Sequence, residues 1–168
     1  MTIEEVSTLS QQDFVAKVGF LFEGSPWIAE EAWRARPFVN LADLHEALCK
    51  VMSDAPEEKK LALIRAHPDL VGRAALAGTL TRESNREQAS AGLDSLSPEE
   101  IATFTRLNKQ YRDKFGFPFV ICARENKKDS ILAGFDARLG NTRDQEIATA
   151  LGEIAKIAHL RLLDVVTS

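Results

Sequence analysis

The chain has 168 residues and a mass of 18.6 kDa, enough to bury a core without disulfides or a structural metal. Its 45% hydrophobic and 27% charged residues are the balance of a globular protein. A formal charge of −4 excludes a dedicated nucleic-acid binder, which needs a positive field to displace phosphate counterions. No apolar run approaches the ~18 residues of a membrane span, and the acidic start Met1-Thr2-Ile3-Glu4-Glu5 lacks the basic region of a signal peptide. The chain does not close on a peroxisomal address, and Cys49 and Cys122 read as reduced thiols, so a cytoplasmic protein with one domain over residues 1–168 is expected.

The pattern is helical almost throughout. Ser10 caps a helix expected over Gln11 to Phe22, with Phe14, Val18, Leu21 and Phe22 on one face and Gly24 beyond its end. Ser25-Pro26 places a cap before a first-turn proline and opens a helix through Trp27 and Trp33. Asn40 caps a third, with Leu41, Leu44, Leu48 and Met52 inward, and Asp54 precedes a fourth from about Pro56 to Arg65. Pro68 biases its predecessor away from helix, so that helix should stop near Ala66 and leave His67 at its C-terminus. A helix C-terminus favours the protonated ring, and a histidine held there can deliver a proton near neutral pH. Gly72 and Gly78 flank Arg73 to Ala77, either a short helix or an ordered loop.

Thr81 caps the next helix, on which Ser84, Glu87 and Gln88 stand at i, i+3, i+4 and share a face. A hydroxyl, a carboxylate and an amide beside a histidine suit a small polar molecule. The alternative is that His67 merely caps its helix and Glu87 is a solvated surface acid. Ser97-Pro98-Glu99-Glu100 is a capping box with a first-turn proline, opening a long helix through Ile101, Phe104, Leu107, Asn108 and Tyr111 to Gly116. Phe117 to Ala123 is apolar, aromatic and β-branched and should be extended, yet no second strand exists to pair with it. Its backbone groups must be satisfied by side chains and water or by a ligand. Asp129 or Ser130 opens a helix to Leu139, closed by Gly140. Thr142 caps a last helix reaching about Val166, with an expected buried stripe of Ile147, Leu151, Ile154, Ala158, Leu162 and Val165. Arg161 borders that stripe, where it would snorkel, join an internal salt bridge or meet an anion. The histidines, His45, His67 and His159, show no metal-ligand spacing, and dinucleotide, phosphate-loop and nucleophile-elbow motifs are absent.

Several unusual segments occur together and in order. They are His67-Pro68-Asp69-Leu70, Ser84 to Gln88 with Ala91-Gly92-Leu93, and Leu107-Asn108 with Tyr111. Lys114-Phe115-Gly116-Phe117-Pro118-Phe119-Val120-Ile121-Cys122 follows, then Glu153 to Ala158 with Arg161-Leu162. In these the chain resembles the 2-oxo-4-hydroxy-4-carboxy-5-ureidoimidazoline (OHCU) decarboxylases over nearly its whole length. The resemblance implies an all-α domain of about eight helices with one buried extended segment. It implies a homodimer without metal or organic cofactor, and loss of carbon dioxide from the ureidoimidazoline to give (S)-allantoin in urate degradation. It makes His67 the proton donor, with Glu87 beside it either as a direct acid or base or as the group that orients the substrate. It assigns Pro68, Ser84, Asn85, Arg86, Glu87, Gln88, Phe119, Val120, Ile121, Cys122, Ala123 and Arg161 to the substrate. Two other classes fit the residues alone: a hydrolase of a ureide or lactam using His67 and Glu87 to activate water, and a non-catalytic helical module.

Overall fold

Local signals account for most element boundaries in the computed structural model, which describes residues 1–73 and 75–168. The helices are α1 (Ile3–Thr8), α2 (Gln11–Val18), α3 (Trp27–Ala32), α4 (Leu41–Asp54) and α5 (Glu57–Ala66). They continue with α6 (Arg73–Leu76), α7 (Arg82–Ser90), α8 (Pro98–Phe115), α9 (Lys128–Arg138) and α10 (Arg143–Val165). Among the described residues there is no strand, only an isolated bridge between Thr2 and Thr167, so the expected all-α class holds. The chain forms two compact units, one of residues 1–66 with 155–168 and one of residues 67–154.

In the first unit, Thr2 and Ser10 cap α1 and α2 through their side chains, and Asn40 caps α4 by accepting from the Asp43 N–H at 2.8 Å. The α2 helix is shorter than its hydrophobic pattern suggests. It stops at Val18 and tightens into a 3-10 turn over Gly19–Leu21 before the left-handed Gly24. Ser25 does not cap α3; its hydroxyl donates to the Glu23 carbonyl at 3.1 Å instead. The core of this unit includes Val6, Phe14, Leu21, Ile28, Leu44 and Leu48, all inaccessible to solvent. Phe14 stacks on Phe38 with centroids 5.9 Å apart, and α4 turns Leu44, Leu48 and Met52 inward while Leu41 stays half-buried.

In the second unit, Ser97 and Glu100 form the reciprocal capping box of α8, and Gly116 ends it at φ 81°. Tyr111 sits at the centre of an aromatic core, against Phe115, Phe117, Phe119 and Phe135, with centroid separations of 4.6–6.4 Å. The α9 helix begins at Lys128, one residue earlier than expected. The buried face of α10 also differs: Glu146, Ala150, Ile154, Ile157, Ala158, Arg161 and Leu162 are buried, Ile147 and Leu151 are half-buried, and Val165 is 37% exposed. A carboxylate inside displaces the hydrophobic count because Glu146 is paired there with Arg138 at 2.8 Å.

Candidate active site

The site residues named from the sequence fall mainly within the second unit and come from three places: the His67–Gly72 loop, one face of α7, and the extended segment after α8. Pro68 has the expected effect, for α5 ends at Ala66 and His67 begins the loop. His67 is 6% exposed and its Nε2 is out of reach of solvent. The loop is held from several sides. Gln88 donates from Nε2 to the Asp69 carbonyl at 3.2 Å and accepts the Val71 N–H on Oε1 at 3.1 Å. Asn108 donates from Nδ2 to the Leu70 carbonyl at 2.7 Å. Arg112 Nε meets both carboxylate oxygens of Asp69, at 3.0 and 3.1 Å. Gly72 tolerates no side chain, since a Cβ would lie 2.6 Å from that of Asp69.

On α7, Thr81 caps the helix by accepting from the Ser84 N–H at 3.2 Å, which sets the phase of the following turn. Ser84 and Gln88 are buried and Glu87 is half-buried, the face the spacing predicts. Asn85 and Arg86 are exposed on the other side of the helix. Both polar atoms of the Gln88 amide are engaged by the loop, so this side chain braces the turn beside His67.

The extended segment is satisfied by side chains at several of its backbone groups, the plainer of the two alternatives. Arg138 Nη1 donates to the Val120 carbonyl at 2.6 Å, the Cys122 N–H donates to Glu153 Oε1 at 3.1 Å, and Asn126 Nδ2 donates to the Cys122 carbonyl at 2.9 Å. Phe119, Val120, Cys122 and Ala123 are buried and Ile121 is half-buried. The Phe119 ring belongs to the aromatic core, stacked on Phe135 at 3.8 Å. Burial, joined by the charges of Glu125, Glu153 and Glu87, pushes the Cys122 thiol up to about 11. It therefore stays neutral at physiological pH and is no nucleophile. The action of the Glu87 charge on this thiol ties α7 electrostatically to the segment.

Arg161 lies in the first unit. It is 2% exposed, and Nη1 donates to Glu23 Oε2 at 2.9 Å and to the Phe20 carbonyl at 3.0 Å. The internal salt bridge considered from the sequence is therefore present. Among the described residues no group of three or more His, Cys, Asp or Glu side chains could hold a metal ion, and no helix is long and apolar enough to cross a membrane.

The family model described as OHCU decarboxylase matches residues 7–163. The chain belongs to the OHCU decarboxylase family. The protein named 2-oxo-4-hydroxy-4-carboxy-5-ureidoimidazoline decarboxylase in Haloferax volcanii is 43% identical over 98% of this chain and 95% of its own length. The protein of the same name in Amia calva is 42% identical over 99% of this chain and 95% of its own. Among solved structures, the crystal structure of an (S)-allantoin synthase superposes with a TM-score of 0.79 at 27% identity, covering the whole of this chain and 54% of that one.

Within this family fold, several residues around the site were given no role from the sequence. Asn108 and Tyr111 stood among the matching segments without a function, and Glu153 likewise. Neither Arg138 nor Glu146 carries a motif that marks it in the sequence. Arg138 follows the buried Ile131 and Phe135 at i+7 and i+3, so helical phase alone placed it inside. A charged residue on an apolar face was the available signal.

Proposed function

We propose that the chain converts OHCU to (S)-allantoin and carbon dioxide, with His67 as proton donor and no metal or organic cofactor. The observation that carries the reading is the family match over residues 7–163. What supports the assignment of roles is that His67, Ser84, Glu87 and the Phe119–Ala123 segment fall in one compact unit, with the loop bearing His67 braced by α7.

The substrate carries a carboxylate and a hydroxyl on one ring carbon, next to a ring C=N. Breaking the bond to the carboxylate releases carbon dioxide, and its electron pair flows into the C=N. The substrate is thus its own electron sink, which is the part a pyridoxal or thiamine cofactor would otherwise supply. The enol-like product then takes a proton on the adjacent carbon. His67 gives it from one side and so sets the S configuration, help of a kind worth ~10²–10⁴-fold. Glu87 holds the ring or ureido N–H groups, Ser84 orients the substrate, and backbone groups of residues 119–123 together with Pro68 line it. Gln88 acts through the loop. Asn85 and Arg86 belong to the same α7 segment that the resemblance assigns to the substrate, with their side chains exposed. Arg161, paired with Glu23, remains a proposed substrate contact. The working form is a homodimer in the cytoplasm.

The test is incubation with freshly prepared OHCU. Faster carbon dioxide release than the spontaneous decay, with an excess of (S)-allantoin, supports the reading. Ureide hydrolysis without carbon dioxide, or binding without turnover, would overturn it.

A further inference from the structure

We propose that Asn108 and Arg112 on α8 are positioning residues for His67: with Gln88 they hold the His67–Gly72 loop in a conformation that its own sequence resists. The proposal rests on the reading of His67 as proton donor. Val71 is the described non-glycine residue with positive φ, at 53°. A β-branched residue rarely adopts the left-handed region, because its side chain crowds the backbone there. Such a conformation persists where the surroundings over-determine it, and that is the case here.

Three backbone groups around Val71, and the Asp69 carboxylate, have side-chain partners. The Asp69 carbonyl and the Val71 N–H are both taken by Gln88, the Leu70 carbonyl by Asn108, and the Asp69 carboxylate by Arg112. Gly72 supplies the close approach to Asp69 that the turn needs.

Asn108 is the informative member. It is 6% exposed, and donation to the Leu70 carbonyl fixes which way its amide points, since a flipped amide would set oxygen against oxygen. That orientation leaves Oδ1 buried without a hydrogen-bond partner among the described residues. An apolar side chain would fill the same space without that cost. The amide therefore serves the turn rather than the packing of α8. Three residues of one tight loop, fixed by three side chains from two helices, keep the first residue of that loop in one place. A proton donor requires this, because a displacement of ~1 Å can lower the rate ~10²-fold.

The test compares kcat, KM and Tm for Asn108→Ala, Arg112→Met, Val71→Gly, the two double variants with Val71→Gly, and His67→Asn. Asn108→Ala should lower kcat by ~10-fold or more while KM changes little, the pattern of a misplaced catalytic group. Arg112→Met, at a half-exposed position, should act in the same direction but by less. Adding Val71→Gly should restore much of the kcat in both, because glycine enters the left-handed region without steric cost. It should not restore Tm, since it removes a buried side chain. If Asn108→Ala does not fold, the Arg112→Met pair carries the test. Loss of kcat in step with Tm, or no recovery with glycine while His67→Asn is inactive, would overturn the positioning role. An active His67→Asn would overturn the donor reading beneath it.

Discussion

Among the described residues, each unit of the molecule contains a buried arginine–glutamate pair, and the two are built differently. In the second unit Glu146 is completely buried and takes three donors: the Tyr111 hydroxyl at 2.5 Å and Arg138 Nε at 2.8 Å on one oxygen, and Asn141 Nδ2 at 2.9 Å on the other. Arg138 lies 4.2 Å from the Phe119 ring centroid and donates to the Val120 carbonyl. In the first unit Arg161 Nη1 donates to Glu23 and to the Phe20 carbonyl. The first arrangement spends its charge on the protein's own backbone and rings. The second sets a guanidinium beside a carboxylate and a carbonyl, at a position that the family resemblance gives to the substrate. Burial of an arginine is therefore not by itself a mark of a ligand; the identity of its partners separates a brace from a binding group.

The sharpest way to break this comparison is Glu146→Gln. The change is nearly isosteric but leaves Arg138 buried without its counter-charge, a cost of ~3–5 kcal/mol. Denaturant unfolding should show that loss. Burial and then Glu146 hold the Tyr111 phenol well above its ordinary range, so the variant should also titrate Tyr111 at a lower pH. Unchanged stability would mean that the network is not a brace.

Arg161→Lys should do the converse. Charge beside Glu23 is kept, so stability should fall by less than in Glu146→Gln. Lysine lacks the planar fork, so kcat/KM should fall about tenfold or more, the worth of one charged hydrogen bond at ~1.5–3 kcal/mol. A variant with lost stability and intact efficiency would make Arg161 a second brace.

Much of the fold was legible because its boundaries are local. The Ser97-Pro98-Glu100 box, Gly116, Asn40 and the Pro68 stop each act within a turn of the chain, and each stands where expected. The α10 face was less legible, since Glu146 is inward only because Arg138, Tyr111 and Asn141 meet it in space. The same limit applies to the site. The spacing of Ser84, Glu87 and Gln88 gave the right face of α7, but not that the Gln88 amide would turn to the loop backbone. The unpaired segment at Phe119–Ala123 was recognised as needing partners; Arg138, Glu153 and Asn126 come from positions no local pattern connects to it.

Smaller effects sharpen the picture near α7. Glu87→Gln exchanges a charged acceptor for a neutral amide with little change of shape, so kcat should fall by up to ~10²-fold with Tm nearly unchanged. A Tm drop matching the activity loss would make Glu87 structural. Cys122 should resist iodoacetamide at pH 7–8, because its thiol ionises only near about 11 and the thiolate is the reactive form. In a time course by mass spectrometry, rapid alkylation of Cys122 in the folded protein would contradict the buried, neutral thiol.

The central claim is that His67 delivers the proton that fixes the configuration of the product. Circular dichroism of allantoin formed from fresh OHCU, followed side by side with wild-type protein, His67→Asn and buffer, tests it most directly. Wild-type protein should give a rapid excess of (S)-allantoin. The folded His67→Asn variant should lose ~10²-fold or more in rate and leave the slow, racemic course seen in buffer. A His67→Asn variant that still produced (S)-allantoin at near the wild-type rate would contradict the account.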